Sequence, residues 1–266
     1  MSSPTIAQHA GVLLCLGLLS ANSGAAGNPT ETDADVGERL MLSGRYPEAV
    51  TAFRRAVVAD SDSAPLHARL ARALAEDEDL DGAVRAYERT VALAPADADS
   101  RTRLAIILTR LDRFEEALAN LEIAVELVPD HAWAYDVLGK LHFREGRYND
   151  AAAAYRRATE ADADYGEAWF DLGQTLLRQT DLEGAESAFG KAVAADSSDA
   201  RFHDALGFVH YKRRDYQAAA GRLVRAVQLN PLYARAHFNL GNTYLRLGRR
   251  DEGSAELETF RLLDDQ

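Results

Sequence analysis

The chain is expected to be all-α, a right-handed superhelical solenoid of stacked antiparallel helix pairs. Three observations predict it. A 34-residue pattern recurs seven times along the 266 residues. Within each copy, apolar residues fall at helical intervals in two runs, split by a short turn such as Glu145-Gly146-Arg147 or Leu247-Gly248-Arg249. Small residues sit at fixed places in those runs, where they let two helices approach closely while large ones fill the gaps beside them. A unit of this length cannot bury its apolar face alone, so neighbours must stack and share a core.

The clearest copy places Trp169, Leu172, Gly173 and Leu176 in its first run, and Ala185 and Phe189 in its second. Leu172 recurs as Val36, Leu70, Leu104, Leu138, Leu206 and Leu240. The small residue after it is Gly37, Ala71, Ala105, Gly139, Gly207 and Gly241 in the other copies. The second run repeats its small residue at Ala49, Ala83, Ala117, Ala151, Ala219 and Gly253. A large apolar residue follows four places on, as Phe53, Tyr87, Leu121, Tyr155, Leu223 and Leu257. In phase, the copies run 30–63, 64–97, 98–131, 132–165, 166–199, 200–233 and 234–266.

These residues resemble the tetratricopeptide repeat family, whose signature is Trp, Leu-Gly, Tyr, then Ala, Phe, Ala and Pro at set offsets. The resemblance covers residues 30–266, and Pro95, Pro129 and Pro231 close three copies as the signature asks. The Trp slot departs most. It holds Asp33, His67, Arg101, Tyr135, Trp169, His203 and His237, which predicts weaker packing in the first and third repeats. The Tyr slot is mostly Leu, with His142 and His210 in two copies. Pentatricopeptide repeats, also helix pairs, read RNA, but their period is one residue longer.

Net charge is −12, which argues against nucleic acid as a partner, since phosphates must be neutralised by Lys and Arg. The first 30 residues carry no Asp, Glu, Lys or Arg. Gly11–Ala21 is an apolar stretch of signal-peptide length, followed by small residues around Ala25 and Ala26. Residues 1–26 are therefore expected to be a signal peptide and 27–29 a short linker. That predicts an exported protein, periplasmic or secreted, with no thiol after cleavage because Cys15 is the only cysteine. The segment has no Lys or Arg before its apolar run, and the alternative is a cytoplasmic or membrane-anchored chain. Membrane contact is expected only if the segment stays uncleaved.

No sequence pattern of a metalloprotease, a phosphate-binding loop or a nucleophile elbow occurs, so no catalytic residue, metal or cofactor is expected. The acidic runs Glu76–Asp79 and Asp196–Asp199 read as solvated turns.

The family resemblance implies that positions 2, 5, 6, 9, 12 and 13 of each first helix line a concave groove. In repeats two to seven those positions bring Arg69, Arg72, Arg103, Arg110, Lys140, Arg144, Arg178, Arg201, Lys212, Arg235 and Arg246. Their acids are fewer: Glu76, Asp99, Asp136, Glu167, Asp171 and Asp204. Repeat one adds Glu31, Asp35 and Glu38. The wall of repeats two to seven is thus expected to be positive in an acidic protein. Large apolar groups join it at Trp133, Phe143, Phe170, Phe208, Tyr211 and Phe238, and Asn239 and Asn242 are candidates to hold a bound backbone. Aromatics and arginines dominate interface hot spots. The expected function is a protein-interaction adaptor that binds an acidic segment with apolar anchors. The alternative is a scaffold or oligomerisation module acting through the convex face or the C-terminal end, where Phe260 is expected to fold over its own hairpin.

Overall fold

The computed structural model describes residues 32–264. The signal-like segment, the linker and Glu31 lie outside the described residues. Fourteen helices are present among the described residues, in seven consecutive antiparallel pairs. The first helices of the pairs are α1 (Asp33–Leu42), α3 (Ala64–Glu76), α5 (Ala98–Arg110), α7 (Ala132–Arg144), α9 (Gly166–Arg178), α11 (Ala200–Lys212) and α13 (Ala234–Arg246). The second helices are α2 (Tyr46–Ala59), α4 (Leu80–Leu93), α6 (Phe114–Leu127), α8 (Tyr148–Ala161), α10 (Leu182–Ala195), α12 (Tyr216–Leu229) and α14 (Arg250–Asp264). No helix among the described residues is long and apolar enough to cross a membrane.

Within a pair, the second-helix alanine and its large partner make the seam. Ala185 and Phe189 are fully buried, as are Ala151 with Tyr155 and Ala219 with Leu223. The first helix yields to them with glycine. A Cβ at Gly173 would lie 2.6 Å from the Phe189 ring, and one at Gly139 would lie 2.6 Å from Tyr155.

Each turn between the two helices of a pair carries one residue in the left-handed region, at a constant stride: Gly44, Glu78, Asp112, Gly146, Thr180, Arg214 and Gly248. Helix starts are fixed locally. Asp79, Asp97, Asp181, Asp199 and Asp215 each accept from a backbone N–H of the first turn that follows, as capping requires. The acidic turns are therefore more than solvated surface, since Asp79 and Asp199 are caps.

The Trp slot has a physical rule that its residue types conceal. His67, Arg101, Trp169, His203 and His237 all donate a side-chain N–H to the backbone carbonyl six residues earlier. Arg101 does so at 3.0 Å to Pro95 and Trp169 at 2.9 Å to Ala163. The third repeat thus keeps the tie that was expected to weaken. The residue facing the slot from the second helix is Arg55, Arg89, Arg157, Lys191 and Arg225 in five repeats. Arg55 pairs with Asp33 at 2.7 Å, and Lys191 stands 4.0 Å over the Trp169 ring. Where the slot holds Arg101, the facing residue is Ile123, which avoids opposing two like charges.

Candidate functional site

The first-helix side chains of the N-terminal repeats are tied to one another. Arg69 and Arg72 both pair with Glu38, at 3.4 and 3.3 Å. Arg110 pairs with Glu78 at 2.7 Å and Arg144 with Asp112 at 2.6 Å, each reaching back to the preceding repeat. Arg144 also donates to the Thr109 carbonyl at 2.8 Å and lies over the Phe114 ring. Arg103 lies 5.0 Å over the half-buried Trp133 ring. Phe143 packs edge-on to Tyr148.

Two buried carboxylates sit at the same position two repeats apart. Asp204 is fully buried and receives Arg235 at 2.6 Å, the Asn239 amide at 2.7 Å and the Tyr233 hydroxyl at 3.5 Å. Asp136 is 1% exposed and receives Lys140 at 2.7 Å and the Tyr165 hydroxyl at 3.0 Å. The residue equivalent to Asn239 in the repeat above Asp136 is Asp171, another acid. Asp136 Oδ1, the counterpart of the oxygen that Asn239 serves, has no hydrogen-bond partner. Burial pushes the Asp171 carboxyl up to about 6, Lys140 opposing the shift and the Asp136 charge adding to it.

The C-terminal repeats are open. A cavity of about 650 Å³ lies across α9, α11 and α13, lined by Leu177, Arg178, Leu182, Phe208, Lys212, Arg235, Phe238 and Asn239, with Gln174 and Thr180 at its rim. Phe208 is half-buried and Phe238 is 44% exposed. Arg178 has neither hydrogen bond nor ion pair among the described residues, and the Lys212 ammonium meets only the Phe208 ring, at 5.1 Å. Arg246 donates to the Tyr211 hydroxyl at 3.4 Å, and Tyr211 packs edge-on to Tyr216.

Of the residues expected to line the groove, this cavity gathers Arg178, Phe208, Lys212, Arg235, Phe238 and Asn239. Phe170 is corrected. It is 8% exposed, with its ring 5.7 Å from Phe189 and 5.2 Å from Phe202, so it belongs to the core between repeats. Its position carries it under the next helix, where Thr102, Asp136 and Asp204 of other repeats are also buried. The Asn pair is likewise engaged inside. Asn239 serves Asp204, and Asn242 donates to the Phe238 carbonyl of its own helix. The positive wall is also narrower than its composition suggests. Seven of its eleven cations pair with carboxylates, leaving Arg103, Arg178, Lys212 and Arg246 without one among the described residues. Glu78 and Asp112, which neutralise two of the seven, come from turns and not from the first-helix faces. The stride of the turn residues was the signal that finds them. No group of three His, Cys, Asp or Glu suited to a metal occurs among the described residues.

Models of the tetratricopeptide repeat match residues 37–98, 97–164 and 137–200, and a TPR repeat model matches 211–248. The chain belongs to the tetratricopeptide repeat family. No curated protein matches this tetratricopeptide repeat chain. Among solved structures it is similar to YrrB, described as a TPR protein with an unusual peptide-binding site. That match has a TM-score of 0.60 and 21% identity, covering 69% of this chain and 94% of that one. It is also similar to pilF of Pseudomonas aeruginosa, with a TM-score of 0.65 and 18% identity over 77% of this chain and 93% of that one. The Cut9–Hcn1 hetero-tetramer of the APC/C gives a TM-score of 0.64 at 18% identity, over 81% of this chain and 43% of that one. At these identities the likeness is one of fold.

Proposed function

We propose that this tetratricopeptide repeat protein is a non-catalytic adaptor that seats an acidic segment with apolar anchors in the concave wall of its last three repeats. One observation carries the reading: an apolar cavity of about 650 Å³ bordered by Arg178 and Lys212, cations that no carboxylate among the described residues neutralises. An apolar recess with a few directed charges is the usual form of a recognition site, and arginine holds a carboxylate by two parallel hydrogen bonds. The peptide-binding site named for YrrB agrees with that use of the fold. The signal-like segment at 1–26 favours a place outside the cytoplasm, in the cell envelope or beyond. Sequencing the mature N-terminus tests that part, and an intact Met1 would return the protein to the cytoplasm or to a membrane anchor.

The test of the adaptor reading is affinity capture from crosslinked cells, comparing the wild type with a Phe208→Ala/Phe238→Ala variant. At least one partner should be lost while thermal unfolding stays cooperative. Partners that are all retained would move the binding surface elsewhere. A second reading, docking through the C-terminal pair, draws on Phe260, which packs on Phe238 with ring centroids 5.1 Å apart, and on the exposed Leu262 beside it. Partners that survive the groove variant but are lost on Leu262→Asp would favour it.

A further inference from the structure

From the third repeat onward, the thirteenth residue of every repeat is a cation: Arg110, Arg144, Arg178, Lys212 and Arg246. The ion pairs of the first two show what stands opposite. It is the left-handed residue of the preceding turn, 32 residues earlier. Glu78 and Asp112 fill that place for Arg110 and Arg144. For Arg178 it is Gly146, for Lys212 it is Thr180, and for Arg246 it is Arg214. The neutralising row therefore stops half-way along the chain, and at the last step its sign is reversed.

Lys212, Arg214 and Arg246 line one recess of about 310 Å³, whose other walls are Tyr211 and Tyr216. Among the described residues no carboxylate pairs with any of the three cations. Two acids close to the turn are engaged elsewhere. Asp215 accepts from the Ala218 N–H at 3.1 Å to cap α12, and Glu186 pairs with Arg213. Arg214 also holds a left-handed backbone, φ 65°, where three of the seven turns use glycine. A long side chain there is strained for the fold alone. Three like charges around one recess repel each other, and an anion there would relieve that repulsion. Lys212 also borders the 650 Å³ cavity, so the recess and the apolar pocket are neighbours.

We infer that the recess of Lys212, Arg214 and Arg246 is the acid-reading subsite of the groove. It takes clustered carboxylates of the bound segment, next to the apolar side chains that fill the cavity over Phe208 and Phe238. This deepens the adaptor reading and rests on it. Free phosphate carries similar charge and is the other source of such an anion.

The test is fluorescence anisotropy on the full chain with two labelled probes, hexaglutamate and a peptide in which two phenylalanines precede a run of glutamates. Inorganic phosphate serves as the free-anion arm. The decisive variant is Arg214→Gly/Arg246→Gln, which relieves the turn and touches neither core nor cavity. Arg144→Gln is the control, a cation of the same row that is already neutralised. The phenylalanine–glutamate peptide should bind the wild type and the control alike, and should weaken roughly tenfold or more on the double variant. Equal binding to all three proteins overturns the subsite and leaves the groove reading standing, because that reading is judged by Phe208 and Phe238. Phosphate binding that the variant abolishes, without peptide binding, overturns the proposal in favour of a small-anion site. Binding of neither peptide nor phosphate overturns it outright.

Discussion

The third and fourth repeats and the last three carry the same cation at the same helix position and put it to different use. Arg110 and Arg144 are held by Glu78 and Asp112 from the turn below. Arg178, Lys212 and Arg246 stand opposite Gly146, Thr180 and Arg214 and pair with no carboxylate among the described residues. The helices around both sets are equivalent, so the fold does not make the difference. One residue per turn decides whether a groove cation is a staple between repeats or a group left for a partner. The buried carboxylates repeat the lesson. Asp204 is fully served by Arg235, Asn239 and Tyr233, whereas Asp136 meets a second acid where Asp204 meets an amide.

The largest effect is expected where the satisfied carboxylate is removed. Asp204→Ala leaves Arg235, Asn239 and Tyr233 without their common acceptor. The loss should be about 3 kcal/mol in denaturant unfolding. The same change at Asp136 should cost clearly less, because it also relieves the carboxylate at Asp171. Equal losses at the two sites would erase the distinction between them.

Next is the exchange that converts one junction into the other. Asp171→Asn restores the amide–carboxylate pairing that Asn239 makes with Asp204. The groups facing Asp171 are Lys140, Asp136, Glu167, Tyr165 and, across the pair, Tyr155. The folded protein raises the Asp171 carboxyl from an ordinary 3.8 to about 6. The folded state therefore holds its proton more tightly than the unfolded chain does. The stability this contributes is fully present below pH 4 and is lost as pH rises through 6. Relative to wild type, Asp171→Asn should thus gain little near pH 4 and about 3 kcal/mol above pH 7. A gain independent of pH would show that the fold does not raise the Asp171 carboxyl.

The smallest effect separates the two cation sets directly. Arg144→Ala removes a half-exposed ion pair and should cost under about 1 kcal/mol. Arg178→Ala has no ion pair to remove and should leave stability within about 0.5 kcal/mol, while weakening a groove-bound partner. Thermal melts of the two variants beside a binding titration check both. A stability loss at Arg178 larger than at Arg144 would reverse the assignment.

Much of the architecture was legible because it is periodic. The alternation of small and large residues identified the helix pairs, and the spacing of Gly173 from Phe189 identified the seam between them. The site was legible only in part. Phe208 and Phe238 line the cavity as expected, but Phe170, on the same helical face, is buried under the next repeat. The fifth position is buried in the third to sixth repeats whether it holds Thr102, Asp136, Phe170 or Asp204, and an aromatic residue type alone does not reveal that. The slot shared by His67, Arg101, Trp169 and His203 looked degenerate because the common property is an N–H donor aimed at a carbonyl, not an aromatic ring.

The sequence by itself determined the all-α class, the length and phase of the repeats, and the acidic balance that disfavours nucleic acid. Local spacing and composition suffice for these, since each repeat is built from its own residues. Only the tertiary structure decided which charges are spent inside the molecule. Partners such as Arg144 and Asp112 lie 32 residues apart and meet only when successive repeats stack. The same stacking brings Lys212, Arg214 and Arg246 together with no carboxylate partner among the described residues. Whether a cation is neutralised depends on distance in space, and that is fixed by how one helix pair rests on the next.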